Sequence, residues 1–236
     1  MGPEIVQSAV KVLKATGVAI EWEQMEMGFE HGEATKGPPI TEEHLQAFER
    51  ARVCFKGPLT VPPGNSSFVT VRSKTYTSAN QVFRKVYGLY ANIRPAKSVA
   101  GVVTPFPKTD LVIVRENTED LYTGEERYVD DDTVEGIKRI TRGASTRIAQ
   151  KAWDFALKNG RKRITAVHKA NVCKKADGLF LDACRAVAAL PQHQGKGVVY
   201  DEQLCDSLLT RMVQKPEEYD ILLCPNLFGT HTHIYT

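Results

Sequence analysis

Two runs of consecutive apolar residues, Leu111–Val114 and Ile221–Cys224, set the first constraint on how this chain folds. Each has the length of a strand and neither alternates with polar residues, so each predicts a strand buried on both faces. Ile164–Val167 reads the same way, and Val198–Tyr200 predicts a further strand. The stretches between them have a helical period. Val134, Ile137, Ile140, Ala144, Ile148, Ala152 and Phe155 step by three or four, which predicts a helix from Thr133 to Lys158 ended by Asn159-Gly160. Further helices are expected over about Lys174–Ala189 and Leu204–Val213. Strand and helix alternate, so the expected class is α/β.

The N-terminal part reads less regularly. Pro3 suits a first helical turn, Ile5, Val6, Ala9, Val10 and Leu13 follow at helical spacing, and Gly17 ends the helix. Val18, Ile20 and Trp22 alternate, predicting a strand; Gly28–Pro39 reads as a loop. A helix is expected over Thr41–Arg52 with Leu45 and Phe48 inward, then a short buried strand at Val53-Cys54-Phe55. Asn65–Thr75 reads as an exposed loop or ribbon. Thr77 or Ser78 is placed to cap a helix carrying Arg84. Tyr90–Ile93 starts a strand that Pro95 is expected to limit. Leu121–Thr123 predicts a strand, and Asp130–Asp132 a solvated turn.

The length of 236 residues accommodates one large or two small domains. A net charge of +3, with acids and bases interspersed, argues against a nucleic-acid binder, which concentrates its basic residues. The five cysteines (Cys54, Cys173, Cys184, Cys205, Cys224) have no CxxC spacing and are expected to be reduced thiols of a soluble intracellular protein. No apolar run approaches the roughly 18 residues of a membrane helix, and no signal or transit sequence is recognised. Cytoplasm and mitochondrial matrix are not distinguished.

Several residues are candidates for chemistry. Arg84 and Arg94 lie with Ser78 and Asn80 in SANQVFRKVYGLYANIRP, and Arg115 ends the apolar run LVIV. Each guanidinium is a rigid fork matched to a carboxylate, so a cluster of them suits a small polyanion; singly, each reads first as a snorkelling surface residue. His168-Lys169-Ala170-Asn171 directly follows a predicted buried strand, a favoured place for sites in open α/β sheets. A lysine there, desolvated or near cations, would have a lowered pKa suited to proton transfer; it also reads as the first exposed residue past the strand. Tyr122 is a candidate acid or a packing residue. Asp201 and Asp206 bracket a helix start, where aspartate serves as cap or ligand. His231 and His233 read as bystanders. Neither GxGxxG nor GxxxxGK[ST] is present, so no standard dinucleotide or P-loop fingerprint applies.

Taken in order, the stretches GPEIVQSAVKVL, FKGPLT, SANQVFRKVYGLYANIRP, LVIVRENTEDLYTGEE, ITAVHKANVCKKADGLFLD and YDEQLCDSLLTRMVQKPEEYDILLCPNLFG resemble the β-decarboxylating dehydrogenases, the family of isocitrate, homoisocitrate and 3-isopropylmalate dehydrogenases. The resemblance implies the isocitrate/isopropylmalate dehydrogenase-like α/β fold, truncated at both ends: an incomplete large, cofactor-side domain over 1–91 and a nearly complete smaller dimerisation domain over 92–236. It implies that Arg84, Arg94 and Arg115 bind the substrate carboxylates, with Ser78 and Asn80 selecting isocitrate. Tyr122 would protonate the enolate after decarboxylation and Lys169 relay the proton of the 2-hydroxyl. Thr60, Asn80 and Asn171 would lie near NAD or NADP, and Asp206 would be one carboxylate around Mg²⁺ or Mn²⁺. A homodimer or hetero-oligomer is implied, because Lys169 and Asp206 would serve a neighbouring subunit. Homoisocitrate and 3-isopropylmalate are the alternative substrates, and a non-catalytic regulatory subunit the alternative role. After NLFG the chain departs from the family: Thr230 and Ile234 stand where two metal-binding aspartates are expected.

Overall fold

A computed structural model describes residues 2–62 and 68–232. The chain divides into two compact units, Met1–Gly88 and Leu89–Thr236.

The first unit contains helices α1 (Gly2–Ala15), α2 (Phe29–Thr35), α3 (Glu42–Ala51) and α4 (Ala79–Val86), and a hairpin of β1 (Val69–Val71) and β2 (Lys74–Tyr76). Ile40, Leu45, Val69, Val82 and Phe83 form its core, with Phe48 packed against it. Thr41 caps α3 in a reciprocal box with His44, and Ser78 caps α4 by accepting from the Gln81 amide. Three expectations are corrected here. Val18–Trp22 and Val53–Phe55 are not strands: Val53 is 83% and Phe55 49% exposed, and the one ladder among the described residues of this unit is the β1–β2 hairpin. Alternation alone does not make a strand without a neighbour to bond its backbone. Gly28–Pro39 is not all loop, because α2 interrupts it between Gly28, at φ 105°, and a left-handed Lys36. Of the Asn65–Thr75 ribbon, residues 65–67 lie outside the described set and the rest is largely the hairpin.

The second unit is a five-stranded sheet in the order β3 (Ala91–Lys97), β4 (Asp110–Glu116), β9 (Ile221–Cys224), β7 (Arg163–His168), β8 (Val199–Leu204). β3 runs antiparallel to β4, and the other pairings are parallel. Alternate residues face opposite sides of the two apolar runs. Val112, Val114, Ile221 and Leu223 pack against α5 (Arg142–Asn159) and α6 (Ala176–Ala188). Ile113, Leu222 and Cys224 pack on the other face with Leu208 and Met212 of α7 (Cys205–Gln214). Covering both faces explains why the runs are continuous instead of alternating.

The expected Thr133–Lys158 helix is shorter at its start. β5 (Glu126–Asp130) and β6 (Thr133–Gly136) form an exposed hairpin, and α5 begins only at Arg142, capped by Thr141. The Asp130 carboxylate accepts from the Asp132 amide, so local turn chemistry overrides the helical period. Leu121–Thr123 is a 3₁₀ turn, not a strand: Asp120 caps the Leu121 amide and Gly124 closes the turn at φ 69°. β3 continues through Pro95, which sits opposite Val112 on an edge strand, where its missing N–H leaves no ladder bond unmade. A final helix, α8 (Asn226–Thr232), follows β9 and was not anticipated. None of the helices among the described residues is long and apolar enough to cross a membrane.

Candidate functional site

The site is built where β4 and β9 end and α8 begins. Arg115, the parity partner of Ile113, is only 2% exposed. Its Nε donates to the Asn226 carbonyl (2.8 Å) and its Nη2 to Asn226 Oδ1 (2.6 Å). Asn226 is itself fully buried and donates from Nδ2 to the Glu119 carbonyl (2.9 Å). Arg94 reaches the same helix from β3: Nη1 donates to the Gly229 carbonyl (3.3 Å) and Nε to Asn92 Oδ1 (3.1 Å). Both acceptors are neutral. Burial lowers the Arg94 pKa, partly offset by neighbouring Tyr122 and Cys224. A half-buried guanidinium held only by neutral oxygens retains its capacity to bind an anion.

Tyr122 stands on the 3₁₀ turn, its hydroxyl 2.9 Å from Thr230 Oγ1 and its ring 5.2 Å from the Arg115 guanidinium carbon. Asp120 ties this turn to α8. It is fully buried at φ 74°, a conformation costly for any residue but glycine, and its carboxylate accepts from the Leu121 and Leu227 amides (both 2.9 Å). Gly229 is required by packing. A Cβ there would lie 2.5 Å from Arg115 Cγ and 2.8 Å from its Cδ. Gly229→Ala is therefore expected to displace the Arg115 side chain and to cost about 1–3 kcal/mol in urea unfolding; a fully stable variant with unchanged anion affinity would show that Arg115 has room to spare.

Lys169 and Asp206 form a second group. Lys169 Nζ lies 2.9 Å from Asp206 Oδ2, which raises the lysine pKa and lowers that of the aspartate. This reverses the expected lowered lysine pKa, because the lysine faces a carboxylate and not a cation. Asp206 is in the first turn of α7 but does not cap it, and Asp201 lies within β8, bonded to Arg163. The Lys169 amide donates to Asp177 (2.6 Å), a fully buried carboxylate that also pairs with Lys138. Asn171 is exposed on the turn after β7.

His168, at the end of β7, is held below the usual histidine range by burial, against the raising influence of Glu202 and Asp177. Its Nδ1 accepts from the Ala170 amide (3.1 Å). Because the folded state takes up this proton less readily, the unfolded state protonates first as the pH falls below about 6.5. Stability should decline from neutral pH toward about pH 5, and His168→Gln should flatten that part of a pH series of urea midpoints. An unchanged slope would assign the effect to other groups.

Ser78, Asn80, Arg84 and Thr60 belong to the first unit. Ser78 is the α4 cap, Asn80 lies in the first turn of α4, and Arg84 in its last, near enough to Lys56 to help lower that lysine's pKa after desolvation. The Thr60 hydroxyl donates to Glu30 (2.9 Å). Of the His231/His233 pair, His231 is exposed on α8 and His233 lies outside the described residues. Asn226, Gly229 and Asp120 escaped the sequence reading as individual residues. PNLFG and RENTEDLY carried them, but nothing in either string shows that they meet.

The arrangement defines an α/β protein with two arginines brought together at the carboxyl edge of a mostly parallel sheet, the edge where such folds place ligands. Residues 1–231 match the family model described as isocitrate/isopropylmalate dehydrogenase, and the chain belongs to that family of decarboxylating dehydrogenases. It is 40% identical to the mitochondrial isocitrate dehydrogenase [NAD] catalytic subunit 5 of Arabidopsis thaliana, over 97% of this chain and 58% of that one. It is 38% identical to the human mitochondrial isocitrate dehydrogenase [NAD] subunit alpha (97% and 59%), and 39% to the chloroplastic 3-isopropylmalate dehydrogenase of Solanum tuberosum (97% and 60%). The crystal structure of an isocitrate dehydrogenase from Methylococcus capsulatus superposes with a TM-score of 0.87 at 38% identity, covering 99% of this chain and 66% of that one. The chain thus spans about three fifths of the length of the curated relatives it matches.

The residues fit the family's metal poorly. No group of three His, Cys, Asp or Glu able to hold an ion occurs among the described residues. The Thr60 hydroxyl donates to Glu30, and the sequence has no phosphate-binding glycine motif.

Proposed function

We propose that this chain holds the carboxylate-clamping part of an NAD(P)-dependent isocitrate dehydrogenase, the enzyme class that converts isocitrate to 2-oxoglutarate. One observation carries this reading: Arg94, half-buried and bonded to neutral oxygens alone, converges with buried Arg115 on α8. Two guanidiniums fix carboxylates without themselves exchanging protons. Arg84 is proposed as the third member of the clamp, with Ser78 and Asn80 selecting the extra carboxylate of isocitrate.

Tyr122 is proposed as the proton donor to the enolate carbon and Lys169 as the proton relay from the 2-hydroxyl. Tyr122 has a hydroxyl partner in Thr230 through which a proton can be exchanged, and Lys169 has Asp206. Asn171 is proposed to face the cofactor, which the names of the relatives suggest is NAD. An oligomer is proposed as well. Both strands of the β5–β6 hairpin are exposed, Tyr128 by 79%, and an isolated two-stranded hairpin is marginal in water.

3-Isopropylmalate is the second reading, supported by the potato relative; a non-catalytic subunit is supported by Thr230 at an acid's position. Thermal-shift titrations with isocitrate, homoisocitrate and 3-isopropylmalate separate the substrates, isocitrate being expected to give the largest shift. Equal shifts for all three would remove the role of Ser78 and Asn80. In a coupled assay the 236-residue chain is expected to form no isocitrate-dependent NADH or NADPH, and turnover above background would overturn that expectation.

A further inference from the structure

We propose that the Arg94–Arg115 site, with Tyr122 and Thr230 at its edge, binds a 2-hydroxy di- or tricarboxylate without a divalent metal ion. This rests on the carboxylate-binding reading above and departs from the family it belongs to.

The argument is an inventory of the oxygens around the site. Thr230 occupies the position of an expected metal carboxylate. Its hydroxyl is engaged with the Tyr122 hydroxyl at 2.9 Å and with the Asn226 carbonyl at 3.3 Å. A neutral hydroxyl so bonded is a poor substitute for the carboxylate by which Mg²⁺ is usually held. The buried acids of the neighbouring loop are committed elsewhere. Glu116 accepts from the Thr118 amide (2.7 Å) and the Glu119 amide (3.0 Å). Glu119 accepts from the Thr141 amide and hydroxyl. Asp120 accepts from the Leu121 and Leu227 amides. Asp206 is paired with Lys169.

Two guanidiniums reach α8. Arg94 has no carboxylate partner among the described residues, and Arg115 lies alongside, bonded to Asn226. Each guanidinium is a fork matched to a carboxylate. A divalent cation placed beside them would be repelled by both guanidiniums, while the nearby carboxylates are already engaged by amide and hydroxyl donors. In this chain the anion is therefore held by the arginines and by the Tyr122 and Thr230 hydroxyls, and metal adds nothing.

Calorimetric titration of the full chain with isocitrate tests this in two arms, one with EDTA and one with millimolar Mg²⁺, free ligand being corrected for complexation in solution. The expected result is the same Kd in both arms within about 2-fold, against the roughly 10-fold that 1.4 kcal/mol of metal assistance would give. Binding only with Mg²⁺, or tighter there by tenfold or more, overturns metal independence while leaving the carboxylate reading intact. Binding in neither arm overturns both. Two further measurements guard against a misfolded control. Manganese paramagnetic resonance on the unmodified chain with isocitrate should show free aqueous Mn²⁺ only, and a stoichiometric bound signal would count against the proposal. Thr230→Asp, confirmed folded by its urea transition, should weaken metal-free binding at least several-fold by placing a like charge beside the ligand; Thr230→Val should change it far less. Equal metal-free affinity in the aspartate variant would show that Thr230 is not at the site.

Discussion

Replacing Arg94 by methionine is expected to weaken isocitrate binding by about 30- to 100-fold, the loss of a charge-assisted contact worth about 2–3 kcal/mol. The same change should alter unfolding stability by no more than about 0.5 kcal/mol. The two outcomes diverge because of how Arg94 is held. Its guanidinium donates to Asn92 Oδ1 and to the Gly229 carbonyl, and burial already disfavours its charge. Removing it relieves that burial while leaving Asn92 Oδ1 and the Gly229 carbonyl without this donor, so the gain and the loss nearly cancel. Methionine keeps the apolar stem packed on the edge strand. Urea unfolding and calorimetry on the same preparation read both effects. A stability loss above about 2 kcal/mol would make Arg94 a structural residue, and unchanged affinity would remove it from the clamp.

Leu222→Ala should have the largest effect on stability, about 2–5 kcal/mol. Leu222 is fully buried in the central strand β9, in register with Ile113 of β4 on one side and Thr165 of β7 on the other. Its face packs against Leu208, Met212 and Tyr219. Strands on both sides and α7 above limit how far the cavity collapses, so the cost should fall in the upper part of the range. The chain has one tryptophan in each unit, Trp22 and Trp153. In a Trp22→Phe background the fluorescence of Trp153 reports the second unit alone, which avoids treating two units as one transition. A loss below about 1 kcal/mol would mean that this face of the sheet repacks freely.

The second unit was the more legible part of the chain. LVIV and ILLC announced buried strands because both of their faces are covered, and the α6 and α7 spacings survived because each helix has one apolar face against the sheet. Where patterns competed, the local signal was ambiguous. Val134 and Ile137 continue the period of α5, yet the turn at Asp130–Asp132 pulls them into a hairpin. Val18–Trp22 and Val53–Phe55 have strand composition, yet no strand among the described residues of the first unit bonds to them. Backbone hydrogen bonding between strands is a property of neighbours, which a single segment does not encode.

The same division holds at the site. The chain's own residues determined the chemical types, two arginines, a tyrosine and a lysine at the ends of predicted strands, and the threonine where an acid was expected. A guanidinium's charge and a hydroxyl's neutrality do not depend on the fold. The tertiary structure alone decided which of them meet. It brought Arg94 of β3 and Arg115 of β4 to bond one short helix, put Thr230 against Tyr122, and gave Lys169 an aspartate that raises its pKa instead of the cations that would lower it. The contacts of the arginines and of Tyr122 join residues more than 100 positions apart, as between Arg115 and Asn226 or Tyr122 and Thr230, and only the closing of β9 beside β4 brings them within bonding distance.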